Sequence, residues 1–206
     1  MNFFSFFVSR WETILNLTVE HLVMVLIAMF ISIILGTTVG ILITKNKKLA
    51  STILNVTNVL MTIPSLALFS LLIPILGLGK APAIVGLVVY TQLPIVRNVY
   101  TSITNINPSI IEAAVGMGLT EKKILYKIKI PIAFPGIMAG IRTAVVMGIG
   151  IGAIAGYIGA GGLGVYIFQG ISRTNDNMVL IGAILISVIA ILTDKLLGKI
   201  QKKYEI

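Results

Sequence analysis

The side chains that could do chemistry in this sequence are few, and their spacing excludes most kinds of it. There is no cysteine and one histidine, His21, with seven acidic residues scattered along 206 positions. Without thiols the chain holds no disulfide, no iron–sulfur cluster and no cysteine-ligated zinc. No pair of carboxylates, nucleophilic triad or cluster of metal ligands can be assembled, so neither catalysis nor a bound metal is expected. Gly159, Gly161 and Gly164 spell G-x-G-x-x-G, a dinucleotide pattern only where it follows a strand and opens a helix. Here it follows a long apolar run, so a tight, closely packed turn or gate is expected instead. G-x-x-x-x-G-K-[ST] occurs nowhere, so the chain binds no ATP through a P-loop.

Arg142 stands inside a long apolar run, and an intramembrane charge ordinarily faces a bundle interior or a wet cavity. Two readings stay open. It lines a pathway or pairs at a dimer interface, or it snorkels and hydrogen-bonds carbonyls near one end of a span. Aromatic rings hold organic cations through cation–π attraction of about 0.5 to 2 kcal/mol per contact. Only Tyr90 lies well inside a predicted span, with Tyr157 and Tyr166 flanking the glycine block, and such scattered tyrosines make no cage. Tyr90, Arg142, Gly161 and Gly162 are therefore the candidate pathway or gate residues. His21, beside Glu20 at the outer end of a span, reads as an interfacial residue.

The elements that position these residues follow from composition. The chain is 57% hydrophobic and 11% charged, against about 25% charged in a soluble domain, so its solvent is a bilayer. A charge near the bilayer centre costs at least about 2.5 kcal/mol, so spans are read between charges. Leu22 to Thr44 is free of charge and, as a helix, about 35 Å long. Leu49 to Gly79 is longer than a span needs, with Pro64 and Pro74 expected to bend or end the helix. Ala81 to Val96 is short and is completed by Arg97 and Tyr100 reaching the interface. A fourth span begins near Ile130, and a fifth covers Asn177 to Thr193. The expected fold is an all-α integral membrane protein of five transmembrane helices. A barrel would need alternating strands of about ten residues.

Basic residues set the orientation, because cytoplasmic loops carry the excess of Lys and Arg. Lys45, Lys47 and Lys48, then Arg97, Lys122, Lys123, Lys127 and Lys129, then Lys195, Lys199, Lys202 and Lys203, fall on one side. Arg10, Lys80 and Arg173 fall on the other, which places the N-terminus outside and the C-terminus in the cytoplasm. This asymmetry accounts for the net charge of +9 without a nucleic-acid partner. Residues 1–17, with Phe3, Phe4, Phe6, Phe7 and Trp11, read as an interfacial amphipathic helix rather than a signal peptide. Residues 18–206 form the membrane domain.

Its longest cytoplasmic loop, about 105–131, carries the most specific pattern. Asn107 and Pro108 start a short helix as N-cap and first helical residue. Ile110, Ile111, Ala114 and Val115 give that helix an apolar surface beside Glu112, and Gly116 and Gly118 interrupt it. Thr120 caps a second helix through Lys129, which Pro131 helps to end. The product is a helix-turn-helix small enough to enter a groove on another protein.

Glu112-Ala113-Ala114, then Gly118, then Ile128, Ile130 and Pro131 resemble the EAA motif of permease subunits of binding-protein-dependent ABC importers. Ile130 stands where the motif has leucine. The likeness runs from about Thr62 to Gly170. Ile63-Pro64-Ser65-Leu66-Ala67-Leu68, Leu93-Pro94-Ile95-Val96-Arg97-Asn98, Gly140-Ile141-Arg142-Thr143-Ala144 and Ile158-Gly159-Ala160-Gly161-Gly162-Leu163-Gly164 resemble permeases for glycine betaine, carnitine and choline. Methionine importers share the architecture and parts of these motifs. The resemblance implies a type I importer permease of the bacterial cell membrane whose loop docks on an ABC ATPase. It also implies that the partner ATPase binds ATP and Mg, that a second permease subunit, identical or paralogous, completes the pathway, and that an extracytoplasmic solute-binding protein delivers the solute. The alternative from another class, a secondary transporter, needs ion-coupling residues or inverted repeats, and neither is visible.

Overall fold

The structure, a computed structural model, describes residues 3–204, and the regular elements among them are all helices. Helix α1 (Phe3–Ser9) is short, and α2 (Trp11–Ile43) follows after a break at Arg10. The chain continues through α3 (Lys47–Thr62), α4 (Ser65–Leu76), α5 (Lys80–Thr104), α6 (Pro108–Gly116) and α7 (Glu121–Ile124). A π-helical turn over Leu125–Lys129 leads into α8 (Ile130–Ile154), a 3₁₀ turn over Ala155–Ile158, α9 (Leu163–Ser172) and α10 (Asp176–Lys203).

Four helical stretches are long and apolar enough to cross a membrane: Trp11–Ile43, Lys80–Thr104, Glu121–Ile158 and Asp176–Lys203. The expected second span is instead a bent pair, with α3 and α4 meeting at 98°, so a fifth span exists only if that pair is counted as one. The bend falls at Ile63, which precedes Pro64 and is extended, with ψ of 130°, because the proline ring disfavours helical geometry in the residue before it. Tyr90 of α5 donates its hydroxyl to the Ile63 carbonyl at the end of α3. Pro74 lies within α4 and ends nothing; the helix stops at Gly77.

Pro131 likewise does not end the helix before it. The backbone turns without interruption from Glu121 to Ile158, and the π-helical turn lets the Ile130 N–H reach the Leu125 carbonyl. That widened turn lies where the ring would press on the preceding helical turn.

The centre of the bundle is α2, α5 and α8, with α10 against α8 and α9. In lipid there is no hydrophobic drive between helices, so close van der Waals approach through small residues holds them together. Gly36 and Gly40 of α2 seat Ile95 and Val99 of α5, and Gly140 of α8 lies against Asn98 and the Pro94 carbonyl. Gly148 and Gly152 receive Met29, Val25 and His21 from α2. Thr91 adds a hydrogen bond from α5 to Ser32 of α2 at 2.8 Å, both side chains fully buried. Outward faces such as Leu26 and Phe30 stay exposed on the isolated chain, as lipid contact requires.

Gly140→Ala would place its new carbon 2.5 Å from Asn98 Cβ and 2.7 Å from the Pro94 carbonyl oxygen. It is expected to destabilise the bundle by about 1–3 kcal/mol, read as a lower Tm in detergent. Gly150→Ala, with nothing within 4 Å, should leave Tm unchanged.

Candidate coupling loop and pathway sites

The loop between α5 and α8 is built by local caps. The Asn107 side chain accepts from the Ser109 N–H at 3.0 Å and opens α6. At the other end Gly118 has φ of +78°, and its N–H reaches the Val115 carbonyl at 2.9 Å while the Leu119 N–H reaches Ala114 at 3.1 Å. Those two bonds with a left-handed residue between them are a Schellman closure, which favours glycine. Thr120 caps the next turn through the Lys123 N–H at 3.5 Å. Ala114 is the one fully buried residue of α6, whereas Glu112, Ala113, Val115, Met117 and Gly118 are exposed. Ile128 is half-buried in the π-helical turn and Pro131 is exposed at the start of α8. The motif residues therefore lie between α6 and the start of α8, with Glu112, Val115 and Met117 outward and Ala114 turned inward.

The other end of the bundle is a turn held by glycines. Gly159, Gly161 and Gly162 have φ of +77°, +81° and +77°, a left-handed backbone that side-chain-bearing residues resist. Gly161 and Gly162 press on α2, where a Cβ on Gly161 would meet Glu20 Oε2 at 2.5 Å and one on Gly162 would meet His21 Nδ1 at 3.1 Å. Glu20 accepts from the Gly162 N–H at 3.2 Å, and a carboxylate at the start of α9 is also favoured by that helix's dipole. His21 does not lie at the surface of the bundle. It is fully buried, and its Nε2 lies 3.1 Å from the Ile149 carbonyl, because α2 begins at Trp11 and carries position 21 inside the bundle.

Tyr90 is buried, with its hydroxyl committed to the α3–α4 bend. Arg142 is paired through two nitrogens with Asp194 of α10, with Nη2 to Oδ2 at 2.6 Å, and reaches Gln201 at 3.5 Å. Sequence reading missed Asp194 because it ended the fifth span at Thr193; α10 runs on to Lys203. The spacing of Asp194, Gly198 and Gln201 along one helix face was the available signal.

The family model for binding-protein-dependent transport system inner membrane components matches residues 32–206. The chain belongs to this family. Among curated relatives, the osmoprotectant import permease protein OsmW of Salmonella typhimurium is 44% identical, the match covering 90% of this chain and 89% of that protein. The glycine betaine/carnitine/choline transport system permease protein OpuCB of Bacillus subtilis is 39% identical over 97% of this chain and 92% of its own length. Among solved structures, a chain of the inward-facing MetNI methionine ABC transporter superposes with a TM-score of 0.85. It is 26% identical and is covered to 96%, with 94% of this chain. This inner membrane component is therefore a multi-pass permease of an ABC importer, and its long apolar helices are its spans.

Removing the Glu20 carboxylate deletes a hydrogen bond to a charged acceptor, worth about 1.5–3 kcal/mol. Glu20→Ala should speed amide exchange across residues 159–164 by roughly tenfold or more, measured by mass spectrometry. Exchange in 107–119 should stay as it was.

Proposed function

We propose that this permease forms the membrane pathway of an ATP-driven importer for quaternary-amine osmoprotectants of the glycine betaine, carnitine and choline class. The observation that carries the solute class is identity: relatives named for osmoprotectants match at 44% and 39%, whereas the methionine transporter chain matches at 26%. Membership of the binding-protein-dependent family sets aside a secondary transporter.

The protrusion at 107–119 is the docking element for the ATPase subunit, with Glu112, Ala113 and Ala114 in its helix, Gly118 closing that helix, and Ile128 and Pro131 at its base. Exposed Val115 and Met117 supply the apolar contact, and such a short helix suits a groove. This chain hydrolyses no ATP itself; ATP and Mg are held by the partner. One continuous helical stretch, Glu121–Ile158, joins the docking element to the glycine turn, about 57 Å away at the usual rise per residue. A push on the loop therefore reaches the other face as movement of one rod. Gly161 and Gly162 act there as a gate hinged on Glu20 and His21, and Tyr90 holds the α3–α4 bend in place. Lysines 122, 123, 127 and 129, with those of 195–203, set the loop on the cytoplasmic side, leaving the N-terminus and the glycine turn outside to face the solute-binding protein. A second permease subunit supplies the other half of the pathway.

Proteoliposomes containing the chain and its co-purified partners should take up radiolabelled glycine betaine only with ATP, unaffected by excess methionine. Gly118→Ala and Glu112→Ala should insert normally yet lower uptake several-fold while ATP hydrolysis continues. Flux without ATP, or uptake of methionine alone, would overturn the mechanism or the solute class respectively.

A further inference from the structure

We propose that Arg142 and Asp194 form a waypoint in the pathway that takes the carboxylate and the cationic group of a zwitterionic solute. The inference rests on the importer reading above and deepens it by naming the charges that meet the solute in transit.

Arg142 lies within a span and Asp194 at the cytoplasmic edge of another, directly before Lys195, where a charge facing lipid is costly and one facing a wet cavity is tolerated. The protein alone does not cover them, since their side chains are 35% and 36% exposed. They line an open cavity of about 440 Å³ together with Ala139, Thr143, Val146 and Gln201. Of the remaining lining, Thr143 and Gln201 are polar and Ala139 is small, beside the apolar Val146 and Met147.

The pair is also built rather than incidental. Asp194, Gly198 and Gln201 lie at helical spacing on one face of α10, and all three serve Arg142. A Cβ on Gly198 would fall 3.2 Å from Arg142 Cζ, so the missing side chain is what lets the guanidinium lie close against α10. Arg142 is thereby fixed at the cavity wall.

The chemistry suits a molecule with both charges. A guanidinium binds a carboxylate through two parallel N–H bonds, and a carboxylate attracts a quaternary ammonium. A solute carrying both can exchange partners with Arg142 and Asp194 without leaving either charge unpaired. An arginine alone would repel a cationic solute. Paired with Asp194, the site is neutral overall and admits one.

The test uses the whole importer in proteoliposomes, with glycine betaine and methionine as labelled solutes, comparing wild type, R142Q, D194N, R142Q/D194N and R142K. Each single neutral variant leaves one charge unpaired at the cavity wall and the double variant leaves none, so whatever melting temperature the single variants lose, the double should regain. The double variant is expected to recover stability and ATP hydrolysis stimulated by the binding protein, while uptake stays at least tenfold below wild type. Recovery of uptake along with stability would make the pair a structural clamp and overturn the waypoint. Should the double variant fail to assemble, R142K decides. It keeps the charge and loses the two-pronged geometry, so KM for uptake should rise roughly tenfold with ATP hydrolysis unchanged, and an unaltered KM overturns the proposal. Wild type that carries methionine and not glycine betaine would remove the osmoprotectant assignment alone, because methionine has the same two charges and reads the waypoint equally well. Wild type that carries neither overturns both.

Discussion

A hydrocarbon solvent offers no hydrogen bonds, so every backbone N–H and C=O within it must find its partner in the chain. That constraint makes the spans helical, and it gives the few non-helical positions their meaning. Backbone leaves helical form where something specific receives it. The Ile63 carbonyl is met by the Tyr90 hydroxyl and the Gly162 N–H by the Glu20 carboxylate. The α3–α4 bend and the glycine turn are thus defined local structures, and so is the 107–119 protrusion, closed by the bonds around Gly118. The proposed function places one at the ATPase and another at the outer gate.

The same solvent explains the packing. With lipid tails as apolar as leucine, helices adhere only where they approach closely, and the contacts of Gly36, Gly40, Gly136, Gly140, Gly148 and Gly152 provide that approach among α2, α5 and α8. Tight seams of this kind move as units more readily than they deform. A continuous stretch such as Glu121–Ile158 therefore connects the two ends of the molecule mechanically.

The 107–119 loop was legible in the sequence as a local structure because its signals are local. Asn107 and Thr120 announce caps whose partners lie within three residues, and both form as read, while Gly118 ends α6 and Gly116 remains its last helical residue. The long apolar runs were legible for the same reason, since charge spacing alone sets their approximate lengths. What the sequence hid depends on contacts between helices. Asp194 meets Arg142 across 52 positions, and reading spans as stretches between charges cut α10 just before it. The burial of His21 was hidden because it comes from contacts across the bundle, with Ile149 and Gly162. Pro131 read as a helix stop because a proline interrupts the usual bonding, and the wider π-helical turn that accommodates it leaves no mark in composition.

The central claim is that the 107–119 protrusion is where the ATPase subunit grips this permease. The chain has no cysteine, so Val115→Cys, at a position 60% exposed, gives a single reactive thiol on that protrusion. Cross-linking the assembled importer through this thiol should yield an adduct with the ATPase subunit whose amount changes on adding ATP. A complex that hydrolyses ATP and transports normally, yet forms no such adduct in any nucleotide state, would contradict the account.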